Sequence, residues 1–315
     1  METHLLGSLT ERTHLLGSTT MRVSPLGLGC HEMSDASPKQ VHRVLHAALD
    51  AGVNVIDTAE CYGQSEETLG RALGNRRGSC YLFTKCGHAS GLNLPDWHPR
   101  VVEQSIERSL KRLRTDYLDV VQLHSCSAQI LKRGEVIEVL QRIRATGKVR
   151  YIGYSGDRQD ALYAVQSGVF DTLQTSINIA DQEAIDLTVA KAKERHMGII
   201  AKHPLANAVW RTGQRPGNTH LQVYWERLNK LKYDFLTKDF QDSLGIALRF
   251  TLTVPGVDVA IVGTTNPDRV QSNTVLLSDG PLSQEQFEAI RARWRAVTRW
   301  RRYLSGGRIG WHGWA

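Results

Sequence analysis

"NVIDTAECYG", residues 54–63, opens as an apolar run with strand character and ends on a carboxylate and a phenol. Asp57 closes the run, and Tyr62 follows five residues later. A carboxylate at the end of a buried strand is costly unless it has a partner. The chain must therefore supply one.

Comparable runs recur along the sequence: "SPLGLGC", "VNVIDTA", "CYLFTKC", "YLDVVQLH", "VRYIGYS", "TLQTSIN", "GIIAKHPL" and "VAIVGTT". Most are apolar on consecutive residues, the pattern of strands covered on both faces. Helix signals lie between them. Ser37–Pro38 is an N-cap followed by Pro, and Asp157 and Asn266–Pro267 are further caps. Ser65 precedes the acids Glu66 and Glu67, which suit a helix start. Val102, Ile106, Leu110 and Leu113 recur at helical spacing, as do Val136, Leu140 and Ile143 before Gly147.

Eight strand–helix repeats predict a single-domain (β/α)8 TIM barrel spanning 1–315. A doubly wound sheet is the alternative, but its fingerprint fails. "GLGCHE" at 27–32 begins G-x-G and has Glu32 where the third Gly belongs. Two segments exceed the repeat: a long loop at 206–238 after the seventh strand, and a C-terminal helix and tail at 283–315 that starts with the capping box Ser283–Gln286. Residues 1–20 read as a loose leader containing "THLLGS" twice, at 3–8 and 13–18, without a functional reading.

Composition is that of a globular protein, 41% hydrophobic and 23% charged. No apolar run reaches the roughly 20 residues of a membrane span, and the N-terminus has no secretory pattern. Five scattered cysteines argue against a disulfide framework and for a reducing, cytoplasmic setting. The net charge of +7 is local. Residues 291–315 hold seven arginines and no acid, and the remaining chain balances at 32 Lys plus Arg against 32 Asp plus Glu. A long basic face for nucleic acid or membrane is therefore not expected.

In such a barrel the C-terminal strand ends converge on one bowl. The second run ends at Asp57, with Tyr62 beyond it, the third carries Lys85, and the fourth ends at His124. Lys85 is the natural partner of Asp57. An ammonium beside Tyr62 is expected to lower the phenol's pKa from its reference of about 10, giving a proton donor for a carbonyl oxygen, with His124 as a second donor. Such a site lacks a reductant and calls for a cofactor.

"GVNVIDTAECYGQSEETLGRAL", "LFTKCG" and "DYLDVVQLH" resemble the aldo-keto reductase superfamily, and the likeness runs from about Met21 to about Ser305. The resemblance implies a barrel that reduces aldehydes or ketones with NADPH, NADH being the lesser expectation, and that is reversible as an alcohol or sugar dehydrogenase. It implies Tyr62 as general acid, Lys85 and Asp57 as its tuners and His124 as the residue orienting the carbonyl. For the cofactor it implies Gly29, Cys30 and Asp57, then Ser155 with Gly156 in a position usually held by Asn. Gln174 follows, with Ile177 where many members stack an aromatic ring on the nicotinamide. Pro204, Leu205 and Asn207 would wrap the pyrophosphate, with His203 in place of the usual Ser. Gly263, where many members have Lys, joins Thr264 and Thr265 as phosphate contacts. Arg269 matches the position that grips the 2′-phosphate, and Asn273 the one that meets adenine. No metal is implied.

Trp97 and Trp210 are candidate walls of the substrate pocket. Cys30, Cys61, Cys86 and Cys126 read as small buried side chains, the sharper alternative being a thiol-lined mouth activated by Lys85. His42 and His46 have zinc-like spacing but no third ligand, so a solvated helix face is expected. The tail, with Trp294, Trp300, Trp311 and Trp314, reads as an amphipathic helix followed by a loop over the bowl. A nucleotide-binding regulatory subunit and a barrel isomerase are the competing functions; four intact site residues favour the reductase. Substrate identity and oligomeric state are not encoded in any readable pattern.

Overall fold

A computed structural model of the protein describes residues 9–304, with side chains through residue 298. Eight parallel strands form a closed barrel: β1 Leu26–Gly29, β2 Val55–Asp57, β3 Tyr81–Cys86, β4 Leu118–His124, β5 Val149–Ser155, β6 Thr172–Ser176, β7 Gly198–Lys202 and β8 Val259–Gly263. These are the eight runs expected from the sequence, in order, with β8 closing onto β1 through Gly263 opposite Gly29.

Alternation along each strand explains why the runs are apolar throughout. Val55, Phe83, Val120, Ile200, Val259 and Ile261 point into the barrel and form an inner core. Their neighbours Ile56, Leu82, Val121, Ile199 and Ala260 face the helices and join an outer core. Helices begin where the caps predict. Ser37 accepts from Gln40 N, and Asn266 from Asp268 N. Ser283 Oγ accepts from Gln286 N at 3.2 Å, as the capping box requires.

Three expectations change. Residues 9–20 are not loose: Leu9–Arg12 forms a 3-10 turn, and His14–Leu15 pairs antiparallel with Arg22–Val23. This hairpin plugs the N-terminal end of the barrel, with Leu16, Met21 and Val23 all at 0% exposure against the inner core. The physical reason is that an open barrel bottom leaves apolar side chains wet unless something covers them. The second "THLLGS" copy forms this plug; the first lies outside the described residues. Asp157 precedes the helix Arg158–Ser167 but makes no side-chain cap bond. It turns inward and accepts from Ser176 N and Thr175 Oγ1. The loop after β7 is largely ordered as a helix, Thr219–Leu231, between two 3-10 turns.

The C-terminal helix, Gln284–Leu304, lies on the barrel wall with Trp294 buried at 3%. Trp300, Trp311, Trp314 and the arginines from Arg299 onward lie outside the side chains described. Among the described residues no helix is long and apolar enough to cross a membrane.

Candidate active site

Strand register brings the polar residues together. Asp57 stands opposite Gly29 and Phe83; two residues further up β3, Lys85 stands opposite Gln122. His124 stands opposite Ser155, and Ser155 opposite Gln174. Lys85 Nζ donates to Asp57 Oδ1 at 2.6 Å and to the Thr58 carbonyl at 2.8 Å. The second carboxylate oxygen accepts from Gln174 Nε2 at 2.8 Å and Gln122 Nε2 at 3.4 Å. Asp57 and Lys85 are only 4% and 2% exposed, so this set of bonds offsets the desolvation of both charges. Lys85 is thus the partner that Asp57 requires.

Tyr62 sits in a tight turn after β2, its N–H bonded to the Ala59 carbonyl. Lys85 Nζ lies 5.1 Å from its ring centroid. Two imidazoles meet the ring edge-on, His31 at 4.8 Å and His124 at 5.9 Å between centroids. Burial raises the Tyr62 pKa above that of a free phenol, and Lys85 offsets only part of the rise. The expected net lowering is therefore overturned: desolvation of a phenolate in this crowded turn outweighs one ammonium. Burial also works against the charged form of Lys85, but Asp57 and then Tyr62 more than compensate, and its pKa is raised. His124 is pushed down to about 2, first by burial and then by Lys85, so it is a neutral imidazole.

The thiols follow the plainer reading. Cys30, Cys86 and Cys126 are buried at 0–1%, and burial drives their pKa values up. Cys61 alone of the four is partly exposed; burial brings it to about 11 despite Lys85, and its Sγ lies 3.5 Å from His124 Nδ1. Burial thus works against a thiolate at each of the four positions. His46 is spent on packing: Nε2 lies 3.1 Å from the Ala72 carbonyl and Nδ1 3.2 Å from Arg76 Nη1.

Of the two candidate wall tryptophans, Trp97 stands on the rim, 5.1 Å from the His88 ring. Trp210 does not join it. Its indole N–H donates to Ser243 Oγ at 3.0 Å and its ring packs near Phe240, inside the inserted segment. His31, His88, Gln122 and Lys202 also reach the bowl, and sequence reasoning missed them; His203, expected only in the loop that wraps the pyrophosphate, joins them. His203 is held near 4, chiefly by burial and then by Lys202. Lys202 itself pairs with Asp157 at 3.0 Å. Asp157 goes down to about 2: burial opposes that direction, but Lys202 and hydrogen bonds from Ser176, Lys202 and Thr175 override it.

Around the rest of the rim, Ser155 Oγ donates to Gln174 Oε1 at 3.0 Å. Gly156 has a local reason. A Cβ there would sit 2.6 Å from the Tyr154 hydroxyl, which donates to the Cys126 carbonyl at 2.7 Å. Gly156→Asn should therefore destabilise the fold by about 1–3 kcal/mol through overpacking; thermal melts measure it, and an unchanged midpoint would contradict this account. Ile177 is fully buried, and its carbonyl accepts from Thr251 Oγ1 at 3.2 Å, which makes it part of the core and not an open aliphatic wall.

His203, Ala206, Asn207 and Ala208 all have positive φ, between 45° and 53°, so the loop after β7 turns left-handed beside Pro204 and Leu205. After β8, Thr264 is buried and its hydroxyl accepts from Asn266 N at 3.1 Å. The Thr265 carbonyl accepts from Gln40 Nε2 at 2.9 Å. Asn273 is half-buried on the helix Pro267–Val275. Arg269 on the same helix is exposed; its backbone N–H donates to the Asn266 carbonyl at 3.2 Å, and its guanidinium makes no hydrogen bond or ion pair with any described residue. A side chain at Gly263 would run into the Glu32 carboxylate. A free guanidinium at a helix start beside two threonines suits a phosphate-bearing dinucleotide.

Comparison with known proteins gives a consistent answer. The family model described as "Aldo/keto reductase family" matches residues 25–295. The Bacillus subtilis protein called aldo-keto reductase YhdN is 29% identical over 258 residues, covering 72% of this chain and 76% of its own. The NADH-specific methylglyoxal reductase of Escherichia coli is 26% identical, covering 76% of this chain and 85% of its own. The solved holo form of aldo-keto reductase AKR11C1 from Bacillus halodurans superposes with a TM-score of 0.78 over 89% of this chain and 95% of its own; at 24% identity it shows the shared fold.

Proposed function

The chain belongs to the aldo/keto reductase family, and from that premise we propose that it reduces an aldehyde or ketone with NADPH, Tyr62 delivering the proton to the carbonyl oxygen. Family membership implies oxidoreductase chemistry on carbonyls. The reading of this particular site rests on one observation: a buried ammonium, anchored by Asp57, lies beneath the ring of a phenol that also faces a neutral imidazole.

Each group has a task its environment supports. Tyr62, with its raised pKa, holds its proton at neutral pH and is available as an acid. Lys85 stabilises the phenolate left after transfer, so the positive charge acts on the product of the proton step. Asp57 keeps Lys85 charged and in place. Cys61 Sγ lies 3.5 Å from His124 Nδ1, and because burial keeps the thiol protonated its S–H is assigned as the donor to that nitrogen. That leaves the imidazole proton on Nε2, free to donate to the substrate carbonyl and set its orientation. The nicotinamide cofactor, when bound, supplies the hydride. Ser155 and Gln174, at the strand ends, would hold its carboxamide, and Thr264, Thr265, Arg269 and Asn273 would hold its phosphates and adenine. Five free cysteines accord with a cytoplasmic setting.

Turnover of nitrobenzaldehyde with NADPH tests the activity; cofactor binding without turnover would instead favour a regulatory subunit. Arg269 carries the choice of NADPH over NADH. Arg269→Ala should weaken NADPH binding about 10–100-fold, the range for one hydrogen bond to a charged group, and leave NADH nearly unchanged. Equal losses for both, by fluorescence titration, would reject the assignment.

A further inference from the structure

One charged pair in the bowl has no part in the proton step. Lys202 ends β7 two residues beyond Ile200, which points into the barrel, so its side chain also leaves from the inner face. It pairs with Asp157 at 3.0 Å. Asp157 follows β5, and β6 lies between β5 and β7 in the barrel. The pair therefore spans the end of β6, where Ser176 stands opposite Lys202 and Gln174 lies two residues below.

The two charges stand on different sides of that strand. One Asp157 oxygen accepts from Ser176 N–H at 2.7 Å and from Thr175 Oγ1 at 2.8 Å. Gln174 points inward to Asp57, so Thr175, next to it, points outward to the helices. The carboxylate is thus anchored on the outer side of β6, and the ammonium stands on the bowl side. Its field reaches the reacting groups. At His124, where burial and Lys85 act first, the charge of Lys202 also presses the pKa down. At His203 burial acts first and Lys202 next, ahead of the opposing Asp157.

A hydride donor must come within about 3–3.5 Å of the carbonyl carbon, which Tyr62 and His124 would hold. Ser155 and Gln174 would seat the carboxamide of that donor just below the ammonium. Loss of hydride turns a neutral nicotinamide ring into a cation. In a partly buried site a fixed ammonium repels that cation and leaves the neutral ring almost untouched.

We propose that Lys202, held on the bowl side by Asp157, makes the site select the reduced nicotinamide cofactor over the oxidised one and expel the spent form. The inference rests on the reductase reading and concerns how that site is loaded. Lys202 acts through its charge; Asp157 positions it and tempers it.

Fluorescence titration with NADPH and NADP+, without substrate, tests it. The wild-type protein should bind NADPH about tenfold more tightly than NADP+, a repulsion within the range for like charges near a protein surface. Lys202→Met should tighten NADP+ about tenfold and hold NADPH within about twofold. Asp157→Asn keeps the acceptor for Ser176 and removes the counter-charge, so NADP+ should weaken by about threefold. Lys202→Arg should keep the wild-type preference. A merely structural role would weaken both forms in both variants, whereas charge gives opposite signs for NADP+ alone. Asp157→Asn carries the test if Lys202→Met does not fold. If only NADH and NAD+ bind, the same ratios are read on them. Equal wild-type affinities for the two redox forms, or variants that shift both forms alike, would overturn the proposal and leave the reductase reading standing. A protein that binds none of the four nucleotides would defeat both.

Discussion

Tyr62→Phe should lower carbonyl turnover by about 10²–10⁴-fold, the span typical of a general acid, while dinucleotide affinity stays as it was. The substitution removes one hydroxyl and little else. The ring remains between His31 and His124, and Lys85 remains over it. The loss therefore reports the missing proton and not a rearranged pocket. The raised pKa gives the expectation a direction. In reduction the phenol must be protonated, so the rate should hold from neutral pH upward until the phenol titrates, and then fall. In the reverse reaction the phenolate is the base, so alcohol oxidation should climb as pH rises toward that same pKa. Initial rates across pH in both directions, with cofactor titration of the variant, measure all three. Undiminished turnover in Tyr62→Phe would mean that another group carries the proton.

Much of this site was readable because a barrel strand buried on both faces tolerates few polar residues. Asp57, Lys85, Gln174 and His124 stand out against the apolar runs that hold them, and period-two alternation then places Asp57 with the inward-facing Val55. What could not be read depends on loops. The direction of the Tyr62 shift follows from how tightly the β2 turn and the imidazoles of His31 and His124 exclude water, and strand periodicity is silent on that. The His88–Asp96 pair exists because Ser90 and Trp97 adopt left-handed backbone, at φ 46° and 65°, which no propensity for Ser or Trp announces. Two-residue strands are too short to show a period, so the plug made by His14–Leu15 and Arg22–Val23 looked like a leader. Gly156 departed from the family pattern for a reason one residue class away: Tyr154 folds back beneath it.

Lys85→Met should cost about 3–5 kcal/mol of stability, the range for breaking a buried ion pair, and remove most of the activity. The two effects have different origins, and a second variant separates them. Without Lys85, Asp57 keeps its bonds from Gln174 and Gln122 but loses the ammonium at 2.6 Å, so a buried negative charge is left uncompensated. Adding Asp57→Asn removes that charge, and the double variant should regain most of the lost stability because neutral groups replace both ions. Activity should not return. Tyr62 would then have burial raising its pKa and no cation opposing it, since Lys85 is the largest lowering influence on that phenol. A phenolate without a counter-charge is a poorer product of proton transfer, which slows the step in the reduction direction. Urea denaturation and initial rates on the single and double variants resolve the two. If stability and activity recovered together, Lys85 would be a packing partner of Asp57; if only stability did, its charge belongs to the chemistry of Tyr62.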